Sequence, residues 1–289
     1  MLDEKFLERL DAMRLRLRHP TSGGGGGLRQ SKALGSSVEF LDFREYTHGD
    51  DIRRLDWNAY ARFDKLFLKQ FLEEQEASIH IIVDASASMA FGEPTKWETA
   101  VNLAQILCYL ALIGNDRVTL YALQGDGYCH TRPLIGRQGY VKVAGFLEKL
   151  VPKGRTDLDA ATAKLPLPQG RGMAVLLSDF LNPGGYEGAL QSLRYRKQEV
   201  SALQLLCREE LEPALEGAVQ LVDSETGAVM EILASYDVLR RYRRTAEDFS
   251  EGLRRFCSHH RMGYALLRTE EHLEEVLLRE LSRVGLLRN

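Results

Sequence analysis

The sequence predicts an α/β protein in which helices cover both faces of a mostly parallel sheet. Two short apolar runs, at residues 80–83 and 173–177, lead into serine- and aspartate-containing segments. Runs of this length between polar residues are typical of buried strands. Segments with helical spacing alternate with further strand-like segments between and after these two runs. This alternation indicates βαβ units, which build parallel sheets.

Composition narrows the class of protein. The chain has 289 residues, 44% of them hydrophobic, and a net charge of −3, as an ordinary soluble domain has. Balanced charge gives no electrostatic reason to expect a nucleic-acid partner. The longest apolar run, 106–113, is too short to span a bilayer, and the first residues lack a signal-peptide pattern. We therefore expect no membrane insertion and a cytoplasmic location.

The first 77 residues are predicted to form two segments. Residues 1–30 combine an amphipathic helix with a flexible stretch containing five consecutive glycines. The apolar positions of this helix are Leu7, Leu10, Met13 and Leu17. Residues 31–77 are predicted to be a small strand-rich subdomain, with strands at 39–46 and 66–72. Acids and arginines cluster at 44–62, either as internal ion pairs or as a docking surface for a partner.

Residues 78–289 carry the alternating pattern of the main domain. Its predicted elements are a strand at 80–83, a helix at 97–111, a strand at 118–123, an edge strand at 131–135, helices at 140–150 and 157–164, a strand at 173–178, a helix at 186–196, a strand at 200–206, a hairpin near 217–233, a helix at 236–260, a strand at 263–267 and a helix at 271–284. The hairpin interrupts the alternation because two strand-like runs flank a Ser-Glu-Thr-Gly turn.

Oxygen-bearing side chains follow the two acid-terminated strands. Asp84, Ser86 and Ser88 form a DxSxS array after the first strand, and Asp179 ends the second. Thr156 lies between them in a glycine-led loop. The carboxyl ends of parallel strands meet at one sheet edge, so we expect these five residues to lie close together. They suit a hard cation such as Mg²⁺, with Mn²⁺ or Ca²⁺ as possible substitutes.

In this interpretation the three hydroxyls bind the metal directly, and Asp84 and Asp179 accept hydrogen bonds from its waters. An open metal position would remain for a carboxylate. The site therefore predicts a non-enzymatic module that binds an Asp or Glu of a protein partner through the metal. The alternative is a metal-dependent hydrolase or phosphatase. Against it, no nucleophile–base pair is evident, and Ser86 stands where an aspartyl phosphatase has its second aspartate.

The array at 84–88, with Thr156 and Asp179, resembles the metal-ion-dependent adhesion site (MIDAS) of von Willebrand factor A domains. The preceding block, which includes Phe43-Arg44-Glu45-Tyr46 and Leu55-Asp56-Trp57, is similar to that of the bacterial domain-of-unknown-function family numbered fifty-eight. The resemblance covers roughly residues 30–285. It implies a Rossmann-like von Willebrand factor A domain over 78–289, and an adaptor or chaperone-like role beside a MoxR-type AAA+ ATPase.

Overall fold

The computed structural model describes residues 10, 14–15, 39–47, 52, 55–63, 65–72, 77–168, 170 and 172–288. The chain divides into two compact units. One comprises Met1–His19 with Ala77–Asn289, and the other comprises Pro20–Glu76. The predicted glycine-rich stretch lies outside the described residues.

The elements of the described residues alternate along the main unit. The strands are β1 (Arg14–Leu15), β2 (Glu39–Glu45), β3 (Phe67–Leu72), β4 (Ser78–Asp84), β5 (Arg117–Gln124), β6 (Gly127–His130), β7 (Gly172–Ser178), β8 (Gln198–Leu206), β9 (Gly217–Val222), β10 (Val229–Ala234), β11 (Gly263–Arg268) and β12 (Leu287–Arg288). The α-helices are α1 (Trp57–Phe63), α2 (Lys96–Ile113), α3 (Tyr140–Leu147), α4 (Leu158–Lys164), α5 (Glu187–Tyr195), α6 (Arg208–Leu211), α7 (Tyr236–His259) and α8 (Leu273–Glu275). A π-helical segment over Val276–Leu281 continues α8.

Six strands form the central sheet in the order β11-β8-β7-β4-β5-β6. Neighbouring strands are parallel except for β5 and β6, which are antiparallel. If these six strands are renumbered 1 to 6 in chain order and then read across the sheet from β6, their order is 3-2-1-4-5-6. This is the strand order of a doubly wound fold. The predicted α/β fold is therefore confirmed. The strand order reverses between β4 and β7, and such switch points are where open α/β sheets bind ligands.

Helices cover both faces of this sheet. One apolar cluster joins Ile79, Ile81 and Val83 of β4 to α2 and α3. A second cluster joins Ile82 to α4, α5 and α7. Successive side chains of a strand point to opposite faces, so β4 must be apolar on both sides. The same requirement explains the continuous apolar sequence of β7, whose residues are all buried.

In the unit Pro20–Glu76, β2 and β3 pair antiparallel, as the two predicted strands of this region imply. Helix α1 was not predicted. It begins after Asp56, a buried residue whose Oδ1 accepts hydrogen bonds from the backbone N–H groups of Asn58 and Ala59 at 2.9 and 3.3 Å. The helix is thus stabilised by an N-cap. Much of the acid and arginine cluster, including Asp50 and Arg53, lies outside the described residues.

Three predicted elements differ from the structure. The edge strand is β6 at 127–130 rather than 131–135, a segment in which Leu134 makes only an isolated bridge to Val118. The predicted N-terminal helix does not continue to Leu17, because Arg14–Leu15 is extended and pairs with Leu287–Arg288. The helix predicted at 271–284 contains a π-helical segment over Val276–Leu281. The predicted hairpin is present as the antiparallel pair of β9 and β10.

Candidate metal centre

The two predicted acids lie at the switch point of the sheet. Asp84 is the last residue of β4, and Asp179 directly follows β7, the parallel neighbour of β4. Ser178 links the two strand ends, because its Oγ donates a hydrogen bond of 2.7 Å to Oδ2 of Asp84. Both aspartates are almost completely buried. The structure thus brings together the two carboxylates that the sequence placed on one sheet edge.

Each aspartate side chain also accepts a hydrogen bond within the turn by which the chain leaves the sheet. The backbone N–H of Ser86 donates to Oδ1 of Asp84 at 3.0 Å, and that of Leu181 donates to Oδ1 of Asp179 at 3.0 Å. Both are Asx-type contacts to the residue two positions further on. Between Asp179 and Leu181, Phe180 adopts a positive φ of 60°, a conformation that is unfavourable for a bulky side chain. This local strain lies at the switch-point edge of the sheet, and strained backbone is common at functional sites.

The hydroxyls of the DxSxS array face one another. The Oγ atoms of Ser86 and Ser88 are 3.0 Å apart and share a hydrogen bond. Two adjacent oxygen ligands at about 2.0–2.1 Å from an octahedral Mg²⁺ lie about 2.9 Å from each other. The spacing of the two serine oxygens therefore matches that of neighbouring Mg²⁺ ligands.

The loop that carries Thr156 is tied to both neighbouring loops. The N–H of Ala87 donates to the carbonyl of Gly154 at 2.8 Å, and Nδ2 of Asn182 donates to the carbonyl of Thr156 at 2.6 Å. The buried Oγ1 of Thr156 is 3.5 Å from the carbonyl oxygen of Leu123, to which it donates. A hydroxyl that gives its proton to a carbonyl keeps its lone pairs available for a metal.

The side chain of Asp157, next to Thr156, caps helix α4 and is not one of the candidate metal ligands. Its Oδ1 accepts a hydrogen bond of 2.9 Å from the N–H of Ala160 and so caps α4. The Asp157 side chain therefore stabilises the start of α4 as an N-cap.

Asp84 is an ionisable group in an unfavourable environment. Burial, followed by the negative charge of Asp179, raises the pKa of the Asp84 carboxyl to about 6. Within the described part of the chain, the hydrogen bonds that it accepts come from the uncharged groups of Ser86 and Ser178. A buried carboxylate without a cationic partner is costly, and a bound cation would relieve that cost.

Asp179 has a cationic partner that the sequence reasoning missed. Nζ of Lys96, at the start of α2, lies 2.7 Å from Oδ2 of Asp179 and also contacts Oε1 of Glu210. Burial opposes the charge on Lys96, but the two carboxylates outweigh it and raise the pKa of the ammonium group. The charged triad fixes Asp179 from the side of α2 and α6. No simple sequence signal marks it, since Lys96 directly follows a helix cap and would ordinarily be read as exposed.

The donor set fits a hard divalent cation. It offers three hydroxyl oxygens and two carboxylates, the ligand types that Mg²⁺ accepts while retaining several waters. Among the described residues, no cluster of three or more His, Cys, Asp or Glu could hold a metal. A metal at this edge would therefore depend on the hydroxyls of Ser86, Ser88 and Thr156. Sequence reasoning also missed Ser178, although its position directly before Asp179 in an apolar strand is a recognisable signal.

Comparison with known proteins identifies the family. The family model described as "Protein of unknown function DUF58" matches residues 42–251. This chain belongs to that family. Uncharacterized proteins of Mycobacterium tuberculosis and Mycobacterium bovis are each 31% identical over 235 residues, covering 79% of this chain and 74% of theirs. The resemblance to this family predicted from the block at 43–62 is confirmed.

Solved structures show weaker similarity. The conserved hypothetical protein BatB of Bacteroides thetaiotaomicron is 16% identical, with 72% of this chain and 98% of that chain covered and a TM-score of 0.44. An aerotolerance-related membrane protein of Bacteroides fragilis is 20% identical, with coverages of 72% and 99% and a TM-score of 0.44. Similarities at this level support no conclusion about function. Among the described residues of the present chain, no helix is long and apolar enough to cross a bilayer.

Proposed function

We propose that this DUF58 protein is a protein-binding module that grips a carboxylate of its partner through a divalent cation, Mg²⁺ in the first instance. The observation that carries the proposal is the pair of buried carboxylates, Asp84 and Asp179, at the switch point of the sheet, with the adjoining hydroxyls of Ser86 and Ser88 and the attached loop that carries Thr156. Ser86, Ser88 and Thr156 would hold the metal, and Asp84 and Asp179 would neutralise its charge through bound water. When bound, the metal supplies a Lewis-acidic position that an Asp or Glu of a partner can fill.

The protein's own residues would prepare this position for a cation. The hydrogen bonds from Ser86 and Ser178 orient Asp84, and Lys96 holds Asp179. The two acids thus need not rearrange when a metal binds, and preorganised ligands lose less entropy on binding. Since Asp179 already compensates Lys96, the site retains a negative charge at Asp84 that favours a cation.

We further propose that the partner system includes a MoxR-type AAA+ ATPase, with this protein as its adaptor. The support is the resemblance of the block at residues 43–62 to the family in which that pairing is expected. A cytoplasmic location and the lack of a nucleic-acid partner stay predictions from composition.

Calorimetric titration with Mg²⁺ tests the metal site. The wild-type protein is expected to bind, and the double variant Asp84→Ala, Ser86→Ala is expected not to bind while remaining folded by circular dichroism. The matched control is Asp248→Ala, Ser258→Ala, which removes an exposed acid and an exposed hydroxyl of α7. Unchanged Mg²⁺ affinity in the site variant would overturn the proposal.

Pull-down of the MoxR-type ATPase with and without EDTA tests the partner. Retention that needs metal and an intact Asp84 supports the adaptor role, and retention indifferent to EDTA contradicts the carboxylate grip. Phosphatase turnover by the wild-type protein that is lost in the double variant would favour the hydrolase alternative instead.

A further inference from the structure

The β9–β10 hairpin presents one sheltered side chain at its tip. The two strands pair with each other and with no other strand of the described residues. Every residue from 221 to 230 is exposed except Glu225, whose side chain is only 16% exposed. A glutamate at the tip of an exposed hairpin is expected to be solvated, so the shelter of Glu225 requires an explanation.

The turn that carries Glu225 is well defined. Oδ1 of Asp223 accepts hydrogen bonds from the backbone N–H groups of Glu225 and Thr226 at 2.7 and 3.0 Å. The backbone of Asp223 pairs with both Gly227 and Ala228 across the turn at 2.8 Å. These bonds fix the backbone at Glu225, so the direction of its side chain is set by the turn.

Glu225 contacts the loop that carries Thr156. Its Oε2 lies 4.0 Å from Nε of Arg155, the residue directly before Thr156. Burial raises the pKa of Glu225, and the next contributions are the negative charges of Asp179 and Asp84. The Glu225 carboxylate thus contacts a residue next to Thr156, and the negative charges of both site acids act on it.

Arg155 alone does not account for this arrangement. Its side chain is 51% exposed, and the contact of 4.0 Å is at the limit of an ion pair. The ammonium group of Lys96 is already engaged by Asp179 and Glu210. A third carboxylate beside the two site acids is therefore repulsive unless a further cation lies among them. A divalent cation at the switch point would turn the same arrangement into a favourable one.

We propose that Glu225 is an internal ligand of the site, whose carboxylate takes the open metal position until an Asp or Glu of a partner replaces it. The inference rests on the proposed function. It makes the hairpin an occupant of the binding site that competes with the partner.

Titration with Mn²⁺, followed by water-proton relaxation, tests this role. Compared with the wild type, Glu225→Ala is expected to bind Mn²⁺ about tenfold more weakly, as loss of an anionic ligand implies. Its bound Mn²⁺ should also show higher relaxivity, because water enters the vacated position. Propionate, which matches the end of a glutamate side chain, should lower the relaxivity of Glu225→Ala and leave the wild type unchanged. The matched control is Glu231→Ala, which removes an exposed acid of the same hairpin and should behave as the wild type.

The outcomes separate the two proposals. If the wild type binds Mn²⁺ and Glu225→Ala has the same affinity and relaxivity, Glu225 is only a partner of Arg155 and the inference is overturned. If the wild type binds no Mn²⁺, the proposed metal site itself is wrong.

Discussion

Replacing Asp84 with asparagine is expected to stabilise the metal-free protein. Burial and the charge of Asp179 raise the pKa of Asp84 from 3.8 to about 6, a difference of about two pKa units. Each unit corresponds to about 1.4 kcal/mol, so ionised Asp84 lowers the free energy of unfolding at neutral pH by about 3 kcal/mol. Asparagine carries no charge, and its Oδ1 can still accept the hydrogen bond from the N–H of Ser86.

The sign of the pH dependence follows from the raised pKa. The folded state binds the Asp84 proton more tightly than the unfolded state, so protonation favours folding. This contribution is complete below pH 3.8 and is lost as the pH rises through about 6. The advantage of Asp84→Asn should therefore be full at neutral pH and vanish in acid.

Urea unfolding in EDTA, followed by circular dichroism, measures the effect. Asp248→Asn, at an exposed position of α7, is the control and should match the wild type. In Mg²⁺ at a thousandfold excess over its Kd the order should reverse, since the bound ligand then stabilises the wild type by about 4.1 kcal/mol and the variant not at all. A variant less stable than the wild type in EDTA at neutral pH, or a difference that persists in acid, would refute the reasoning.

Two further substitutions test the surroundings of the site. Lys96→Met leaves the carboxylates of Asp179 and Glu210 without their cation, and urea unfolding should show a loss of about 3–5 kcal/mol. Adding Glu210→Gln should recover part of that loss, and a single variant as stable as the wild type would contradict the buried triad. His80 is buried with both ring nitrogens unpaired among the described residues, and burial lowers its pKa to about 4. Neutral His80 thus favours folding above pH 6.5, and this contribution to the free energy of unfolding is lost as the pH falls towards 4. Phenylalanine does not titrate. Between pH 6.5 and 4 the His80→Phe variant should therefore lose about 3 kcal/mol less stability than the wild type loses. Equal acid-unfolding profiles of His80→Phe and the wild type would show that His80 does not titrate as expected.

The sequence predicted the elements whose patterns are set by burial on both faces. Strands β4 and β7 lie in the middle of the sheet, so nearly all of their positions are apolar until the chain reaches the edge, with buried His80 as an exception in β4. The acids at that edge, Asp84 and Asp179, are then conspicuous. The Thr156 loop could be added because a glycine-led turn precedes a capped helix, and the structure ties it to both neighbouring loops.

The remaining features depend on contacts that local patterns do not record. Strand β6 has one partner strand and little burial, so its residues carry no apolar signature and the prediction fell on the next segment. Lys96 is buried because acids 83 and 114 residues further along the chain surround its ammonium group. The sheltered position of Glu225 likewise depends on where the hairpin tip comes to rest.

The hydrogen bond between Ser178 and Asp84 joins residues 94 positions apart, and this separation has a consequence for folding. The β4–β7 pairing closes a long loop, and contacts of such high sequence separation form late because loop closure is entropically unfavourable. Until that pairing is made, the two acids belong to separate halves of a nascent sheet. A metal would then find its ligands assembled only after the central crossover has closed, and metal capture would mark the end of folding rather than nucleate it.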